Sequence, residues 1–308
     1  MICIALTFTA VLFVACEKAT DETVKVTAVA LNKTAISLEE GETETLVATV
    51  TPDNATDKTV KWSTSSAAVA TVSNGKVTAA GKGTAKITAK AGDKSAVCEV
   101  TVTDALTDAT LGSWTADRTD PKEWKEEDGV ITFTTNEEPN NDWYSWNGRQ
   151  ASTDMETSTV WEVKSTLNVT SEMLSRDGVR TSMWLNVQDG ENNNIDWAIV
   201  QFYGKAEKEG EEVKYIWQYW DSDAENGGWI DIEGVTPTAG EHELCISYAD
   251  RTISISIDGK VEATYKYADE VTACKAAQVI LQSYSFGESY TVSWSVPSVR
   301  YLKNDEAE

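Results

Sequence analysis

Three runs of sequence decide the fold: RTSMWLNV (residues 180–187), DWAIVQFYG (196–204) and KYIWQYWDSDAENGGW (214–229). Each alternates apolar residues with polar or aromatic ones, the period-two pattern of a β-strand with two unlike faces. In the first run Met183, Leu185 and Val187 share one face, and Arg180, Ser182, Trp184 and Asn186 share the other. In the second, Ala198, Val200 and Phe202 oppose Trp197, Ile199, Gln201 and Tyr203. The aliphatic sets belong in a core. The opposite sets mix indoles and phenols with amides and a guanidinium, a combination suited to sugars. Aromatic rings cover the apolar faces of pyranoses, while planar polar groups bond their hydroxyls. The plainer reading is that the same rings only fill a β-sandwich.

A chain of 308 residues is long enough for two ordinary domains. Its formal net charge of −24 argues against a nucleic-acid or anionic-membrane partner, which needs basic surface. Of the five cysteines, Cys3 and Cys16 lie near the N-terminus, leaving Cys98, Cys245 and Cys274, an odd set that forms no complete disulfide framework. Cys98 is in phase with Val100 and Val102 and reads as a small core residue. Cys245 and Cys274 could pair across strands, a choice the sequence leaves open. The single histidine, His242, takes His-dependent triads and multi-histidine zinc sites out of serious consideration.

Residues 1–15 are almost wholly apolar, and the chain turns acidic at CEKATDE. The run is short for a membrane span and lacks a stop-transfer cluster. Phe13-Val14-Ala15-Cys16 resembles a bacterial lipobox, although Phe stands where Leu is usual and no Lys or Arg precedes it. The expectation is a lipoprotein signal over residues 1–16 with Cys16 acylated, followed by a linker over 17–23. The acidic residues after Cys16 resemble a tag for export to the outer face of an outer membrane. The expected location is therefore the outer membrane, exposed at the cell surface.

From residue 24 to 104 short alternating runs rich in Thr, Val and Ala are separated by turn residues, including Asn74-Gly75 and Gly92-Asp93. Seven strands at this spacing suggest an immunoglobulin-like sandwich, with Trp62 as its inter-sheet aromatic. Leu31-Asn32-Lys33, the TVTP at residues 49–52, Val60-Lys61-Trp62-Ser63 and the NGKVTA at residues 74–79 resemble the group 2 bacterial immunoglobulin-like domain. Such modules mostly act as spacers and adhesion units. The segment holds no acid pair, aromatic row or metal cluster of its own.

Composition shifts after residue 104, and eleven of the twelve tryptophans lie beyond it. Strand patterns continue to the end of a second domain placed at residues 108–303, among them Ile253, Ile255 and Ile257 ahead of an Asp258-Gly259 hairpin turn. About twelve strands and no helix of useful length indicate a two-sheet jelly roll. The aromatic-rich WYSWNGRQ at residues 143–150, the strand at 180–184, Trp217 with Trp229, and the IDGKVEATY hairpin resemble the concanavalin A-like lectin/glucanase superfamily. The fold class expected is thus all-β, an immunoglobulin-like sandwich followed by a concanavalin A-like jelly roll.

Retaining glucanases of that superfamily carry two close carboxylates in an E-x-D-x-x-E pattern. None occurs after residue 114. The acids at residues 207–212 read as a solvated hairpin tip, and His242 opens a strand with no evident partner. The expectation is therefore a protein that is not an enzyme. Asp189, Asn192, Asn194 and Asp196, with Asp221-Ser222-Asp223 nearby, offer the oxygen donors calcium takes. The same DGENNN segment makes a good β-turn, so no cofactor is assigned and calcium is only a second reading.

Trp161 and Trp294 sit in apolar strands and read as core, while Trp114 and Trp124 read as caps on a sheet edge. The expected ligand-binding surface comprises Trp143, Tyr144, Trp146, Arg149, Arg180, Trp184, Trp197, Gln201, Trp217, Tyr219 and Trp229. It predicts non-catalytic binding of a polysaccharide or oligosaccharide, with the outer membrane reached through the lipid anchor and no nucleic-acid partner. The alternatives are an adhesion protein that binds another protein and a glycoside hydrolase of the same fold.

Overall fold

The computed structural model describes residues 23–137, 145–206, 212–222, 227–285 and 288–303. The leader with Cys16, the loop residues Trp143 and Tyr144, the acidic tip at 207–211 and Asp223 lie outside the described residues. No helix among the described residues is long and apolar enough to cross a membrane. The chain divides into two compact units between Asp104 and Ala105.

The first unit is an immunoglobulin-like sandwich that has, among the described residues, nine short strands rather than seven, in sheets of two, four and three strands. Its core is Leu38, Leu46, Val77, Ile87, Cys98, Val100 and Val102, with Trp62 packed against it. The Asn74-Gly75 turn closes one hairpin with φ of 50° and 86°. Both are left-handed, as a two-residue hairpin turn requires. Gly75 is also a steric necessity, because a Cβ there would lie 2.4 Å from the Leu46 carbonyl oxygen.

The second unit is a jelly roll of two sheets packed face to face. The first has nine strands. Its main path runs through Glu123–Glu127, Val130–Thr134, Thr291–Ser295, Val160–Val169, Gly240–Ala249, Thr252–Ile257 and Lys260–Lys266, while Ser298–Tyr301 pairs with Val160–Val169 and with Thr107–Ala109. The second sheet has seven strands, β1 (Thr115–Ala116), β2 (Ser145–Ser152), β3 (Arg180–Gln188), β4 (Asn194–Lys205), β5 (Lys214–Asp221), β6 (Gly228–Asp231) and β7 (Lys275–Ser285). They lie side by side in the order β1-β2-β7-β3-β4-β5-β6, each antiparallel to its neighbour.

The core between the sheets follows from strand alternation. Trp161, Val163, Leu167, Ile246 and Trp294 from one sheet meet Met183, Leu185, Val200, Phe202 and Leu281 from the other. Asp258 and Gly259 form the expected hairpin turn, with φ of 51° and 77°. His242, which opens a strand with no partner evident in sequence, has partners after all. Its Nδ1 lies 2.9 Å from the Asp258 carboxylate and its Nε2 3.0 Å from the Thr238 carbonyl oxygen.

Cys98, Cys245 and Cys274 are all buried and free. Cys274 faces the core, where Trp161 Nε1 donates to its sulfur at 3.4 Å, and the open question of a Cys245–Cys274 bridge is answered by unpaired thiols. Burial pushes both thiols up to about 12.

Candidate functional site

Cross-strand register assigns every side chain of the seven-stranded sheet to the core or to the outward face. Opposite residues share a face. On β3 and β4 the outward residues are Arg180, Ser182, Trp184 and Asn186, set against Tyr203, Gln201, Ile199 and Trp197. On the other flank, β7 places Tyr284, Gln282, Ile280 and Gln278 opposite the same β3 residues, and β2 adds Trp146 opposite Tyr284. Toward the far edge, Gln201 meets Gln218 and Ile199 meets Trp220 on β5, then Trp220 meets Trp229 and Gln218 meets Asp231 on β6.

The result is a sheet face carpeted with indoles. Trp184 stands at its centre, its ring 6.2 Å from Trp146, 6.2 Å from Trp197 and 6.3 Å from Trp229, all edge to face. Trp220 lies 5.5 Å beyond Trp229, and Tyr284 lies 4.3 Å from Trp146. The Trp184 indole is fixed because its Nε1 donates to Ser182 Oγ at 2.8 Å. Trp197 is 37% exposed, and the other four indoles are half-buried.

Between the rings lies a floor of buried amides. Gln201 Nε2 donates to Gln218 Oε1 at 2.6 Å, and Gln218 Nε2 donates to Asp231 Oδ1 at 2.6 Å, so two amides and a carboxylate form one polarised relay. Asn186 Nδ2 donates to Gln278 Oε1 at 3.3 Å. The relay and its neighbours leave Gln201 Oε1, Asn186 Oδ1 and Gln282 Nε2 buried with no partner in the protein. Polar atoms shut away from water and unbonded cost free energy, roughly 1–3 kcal/mol each, unless something bonds them. These atoms provide both donor and acceptor capacity at one place, which is what a polyhydroxylated ligand needs.

Two cations stand over this floor. The Arg118 guanidinium lies 4.0 Å above the Trp146 ring and 5.4 Å from Trp184, and its Nη1 donates to Gln282 Oε1 at 3.4 Å. Arg180 lies 4.0 Å over Tyr203 and 5.5 Å from Tyr284. Asp117 reaches the same face at the β1 edge, where its N–H donates to the Gly148 carbonyl oxygen at 3.0 Å. Burial raises the Asp117 carboxyl above the usual range, against the opposing charge of Arg118. Gly148 is required here, since a Cβ would lie 2.6 Å from both Gln282 Cβ and the Leu281 carbonyl oxygen.

Of the residues predicted from sequence, Trp146, Arg180, Trp184, Trp197, Gln201 and Trp229 are brought together on this face. Three are not. Trp217 and Tyr219 take the other parity of β5, opposite Phe202 and Val200, and Trp217 is 0% exposed in the core. Arg149 pairs opposite Leu281, points to the core side of β2, lies 5.2 Å over Trp124, and is held by Asp120 in a two-point ion pair at 2.6 and 3.0 Å. Sequence reading missed Trp220, Gln218, Asp231, Gln282, Tyr284 and Arg118. For Trp220 the only available signal was the register of β5 against β4.

The four calcium candidates do not converge. Asp189 accepts from the Glu191 and Asn193 amides in a turn, Asn192 accepts from Lys275 Nζ at 2.6 Å, and Asn194 accepts from Gln188 Nε2 at 2.9 Å. Asp196 points to the core side of β4, where it accepts the hydroxyls of Tyr265 at 2.9 Å, Tyr267 at 2.6 Å and Ser222. Burial, foremost, drives both phenols well above their ordinary range. Among the described residues no group of three or more His, Cys, Asp or Glu side chains is placed to hold a metal ion.

Residues 25–102 match the family described as bacterial Ig-like domain (group 2). Similar curated proteins include an uncharacterized protein of Clostridium acetobutylicum, 44% identical over 27% of this chain and 9% of that protein. A lacto-N-biosidase of Bifidobacterium bifidum is 51% identical over 23% of this chain and 6% of its own, and an Ig-like virion protein of Serratia phage KSP90 is 45% identical over 26% and 32%. The chain thus spans at most about a third of the length of these relatives.

Among solved structures, the fold is similar to a Bacillus licheniformis beta-glucanase, with 9% identity over 65% of this chain and 100% of that one and a TM-score of 0.38. It is also similar to the catalytic domain of an endo-1,3-beta-glucanase (laminarinase) from Thermotoga petrophila RKU-1, with 12% identity over 65% and 98% and a TM-score of 0.43. The all-β second unit of two packed sheets expected from the sequence is the fold found. One expectation is corrected by these neighbours. The missing E-x-D-x-x-E pattern predicts a protein that is not an enzyme, yet the similar solved structures are mainly glucanases and glycoside hydrolases. At such low identity they show fold alone, so catalysis is neither assigned to this chain nor excluded from it.

Proposed function

We propose that the second unit is a carbohydrate-binding domain whose outward sheet face takes a polysaccharide or oligosaccharide. The observation that carries this reading is the meeting of Trp146, Trp184, Trp197, Trp220 and Trp229 on one face, over a floor of buried amides with unused bonding capacity. Exposing several indoles together is costly in water and is offset when a partner covers them. Each sugar–ring stack contributes about 1 kcal/mol beyond area burial, and the amides fix orientation through the hydroxyls. Single contacts of this strength give weak binding per site, which several sites along one polymer raise.

Affinity electrophoresis through gels of plant and host polysaccharides tests the reading. Retarded migration on at least one polymer, abolished by Trp184→Ala, is the expected result; unretarded migration on all of them overturns it. Reducing-sugar release from the same polymers shows whether the bound chain is also cut.

We further propose that the chain is acylated at Cys16 and displayed at the outer membrane surface, with the immunoglobulin-like unit as a spacer. The support is the lipobox-like FVAC at residues 13–16 and the acidic stretch behind it. Labelled palmitate entering the wild type but not Cys16→Ala is the expected result, and equal labelling of the two defeats the proposal.

A further inference from the structure

The chain holds 50 carboxylate side chains against 26 cationic ones, and only six of the latter are arginines. Four of those arginines are ion-paired: Arg149 with Asp120, Arg176 with Glu172 and Glu288, Arg251 with Asp269, and Arg300 with Glu162 and Asp108. In so acidic a protein that is the expected state of a guanidinium. Arg118 and Arg180 are the exceptions: among the described residues neither makes an ion pair. Both stand on the indole-bearing face.

Each of these two is instead held over aromatic rings, Arg118 over Trp146 and Arg180 over Tyr203 and Tyr284. Trp146 and Tyr284, 4.3 Å apart, join the two positions. Ring contacts orient a guanidinium without neutralising it. Arg118 leans on Gln282, which is 1% exposed and whose Nε2 has no partner, so a charged and a neutral donor flank one spot. Arg180 Nε is likewise buried and unbonded. A planar, charged fork with free N–H groups is the donor that matches a carboxylate or a sulfate.

We infer that the carbohydrate bound on this face is anionic, bearing carboxylate or sulfate groups that Arg118 and Arg180 receive. The inference rests on the carbohydrate-binding reading and narrows it to a ligand class. Asp117 lies on the same face beside Arg118, its carboxyl raised by burial and lowered by the Arg118 charge, burial being the larger cause. Long-range repulsion from the net charge of −24 is screened beyond about 8 Å at physiological salt, whereas contact with a guanidinium is not.

The test is a panel of polymer pairs, run as affinity electrophoresis at physiological salt. Polygalacturonic acid is set against its carboxyl-reduced twin, and sulfated galactans against their desulfated twins, so the two kinds of pair separate a carboxylate ligand from a sulfate ligand. The acidic member of at least one pair should bind tenfold or more tightly than its neutral twin. That preference should fall at least tenfold in Arg118→Gln and in Arg180→Gln, while Arg180→Lys keeps part of it; thermal melts of each variant confirm folding. Neutral twins that bind as well as the acidic members, or Arg→Gln variants that bind acidic polymer undiminished, overturn the inference and leave the carbohydrate reading standing. Binding to no polymer of either kind overturns both.

Discussion

Two tryptophans two strands apart in the sheet order test the assignment of faces, because they are chemically alike and lie on opposite sides of the same sheet. Trp184→Ala removes the central ring of the outward face, together with the contacts that Trp146, Trp197 and Trp229 make with it at 6.2–6.3 Å. A lost sugar stack costs about 1 kcal/mol beyond area, and loosened neighbours add roughly as much. A total near 2 kcal/mol weakens glycan binding about 30-fold. Trp217→Ala removes a ring that is 0% exposed and packs edge-on to Phe202 at 5.8 Å in the core. That change costs about 3–5 kcal/mol of stability. At about 2–4 °C per kcal/mol for a unit of this size, the melting temperature falls by roughly 6–20 °C. Trp217→Phe, which also removes a buried indole N–H that has no partner, should keep most of the lost stability. The assay is affinity electrophoresis beside a thermal melt, with glycan affinity measured well below the melting point. Folded Trp217→Phe that loses as much affinity as Trp184→Ala, or Trp184→Ala that binds like the wild type, refutes the face assignment.

Other changes test the supporting parts. Gly148→Ala forces a Cβ against the backbone of Leu281 and Gln282 on the neighbouring strand, so melting should fall by the equivalent of about 1–3 kcal/mol and glycan binding should weaken as Gln282 shifts. Asp117 carries a folded-state pKa raised by burial, so its contribution to stability is full below the unfolded value and is lost as pH rises through the folded one. Asp117→Asn should therefore raise the melting temperature at neutral pH and change it little near pH 3; an equal shift at both ends contradicts the assignment. With Cys245 and Cys274 pushed up to about 12, roughly one part in ten thousand is thiolate at pH 8, and burial restricts access further. In a fragment beginning at residue 23, Ellman's reagent should label none of the three buried cysteines, Cys98 included, in the native state and all three in guanidinium.

The fold was legible in this chain wherever alternation was clean. In β3 and β4 aliphatic residues alternate with polar and aromatic ones, so both faces could be read without neighbours. In β5 both parities carry aromatics: Tyr215, Trp217 and Tyr219 on one side, Ile216, Gln218 and Trp220 on the other. With no apolar–polar contrast, composition cannot orient the strand, and only the pairing of Gln201 with Gln218 does. Arg149 was misassigned for a related reason. It sits in a short run, NGRQ, whose phase is set by Gly148 lying over Gln282. Arg118 carries no strand signal at all. It occupies a left-handed turn residue, φ 60°, after a two-residue edge strand, and only closure of the sheet delivers it to Trp146. The donors of the DGENNN turn were legible as donors, but their bonds to one another and to Lys275 answer to local geometry that spacing does not encode.

A crystal structure with a bound oligosaccharide tests the central claim most directly. The account predicts sugar rings lying against Trp184 and at least one of Trp146, Trp197 and Trp229, with hydroxyls on Gln201, Asn186 or Gln282. Sugar seated instead in the cavity of about 850 Å³ lined by Trp114, Trp124 and Pro297, with the seven-stranded sheet's outward face bare, would contradict it.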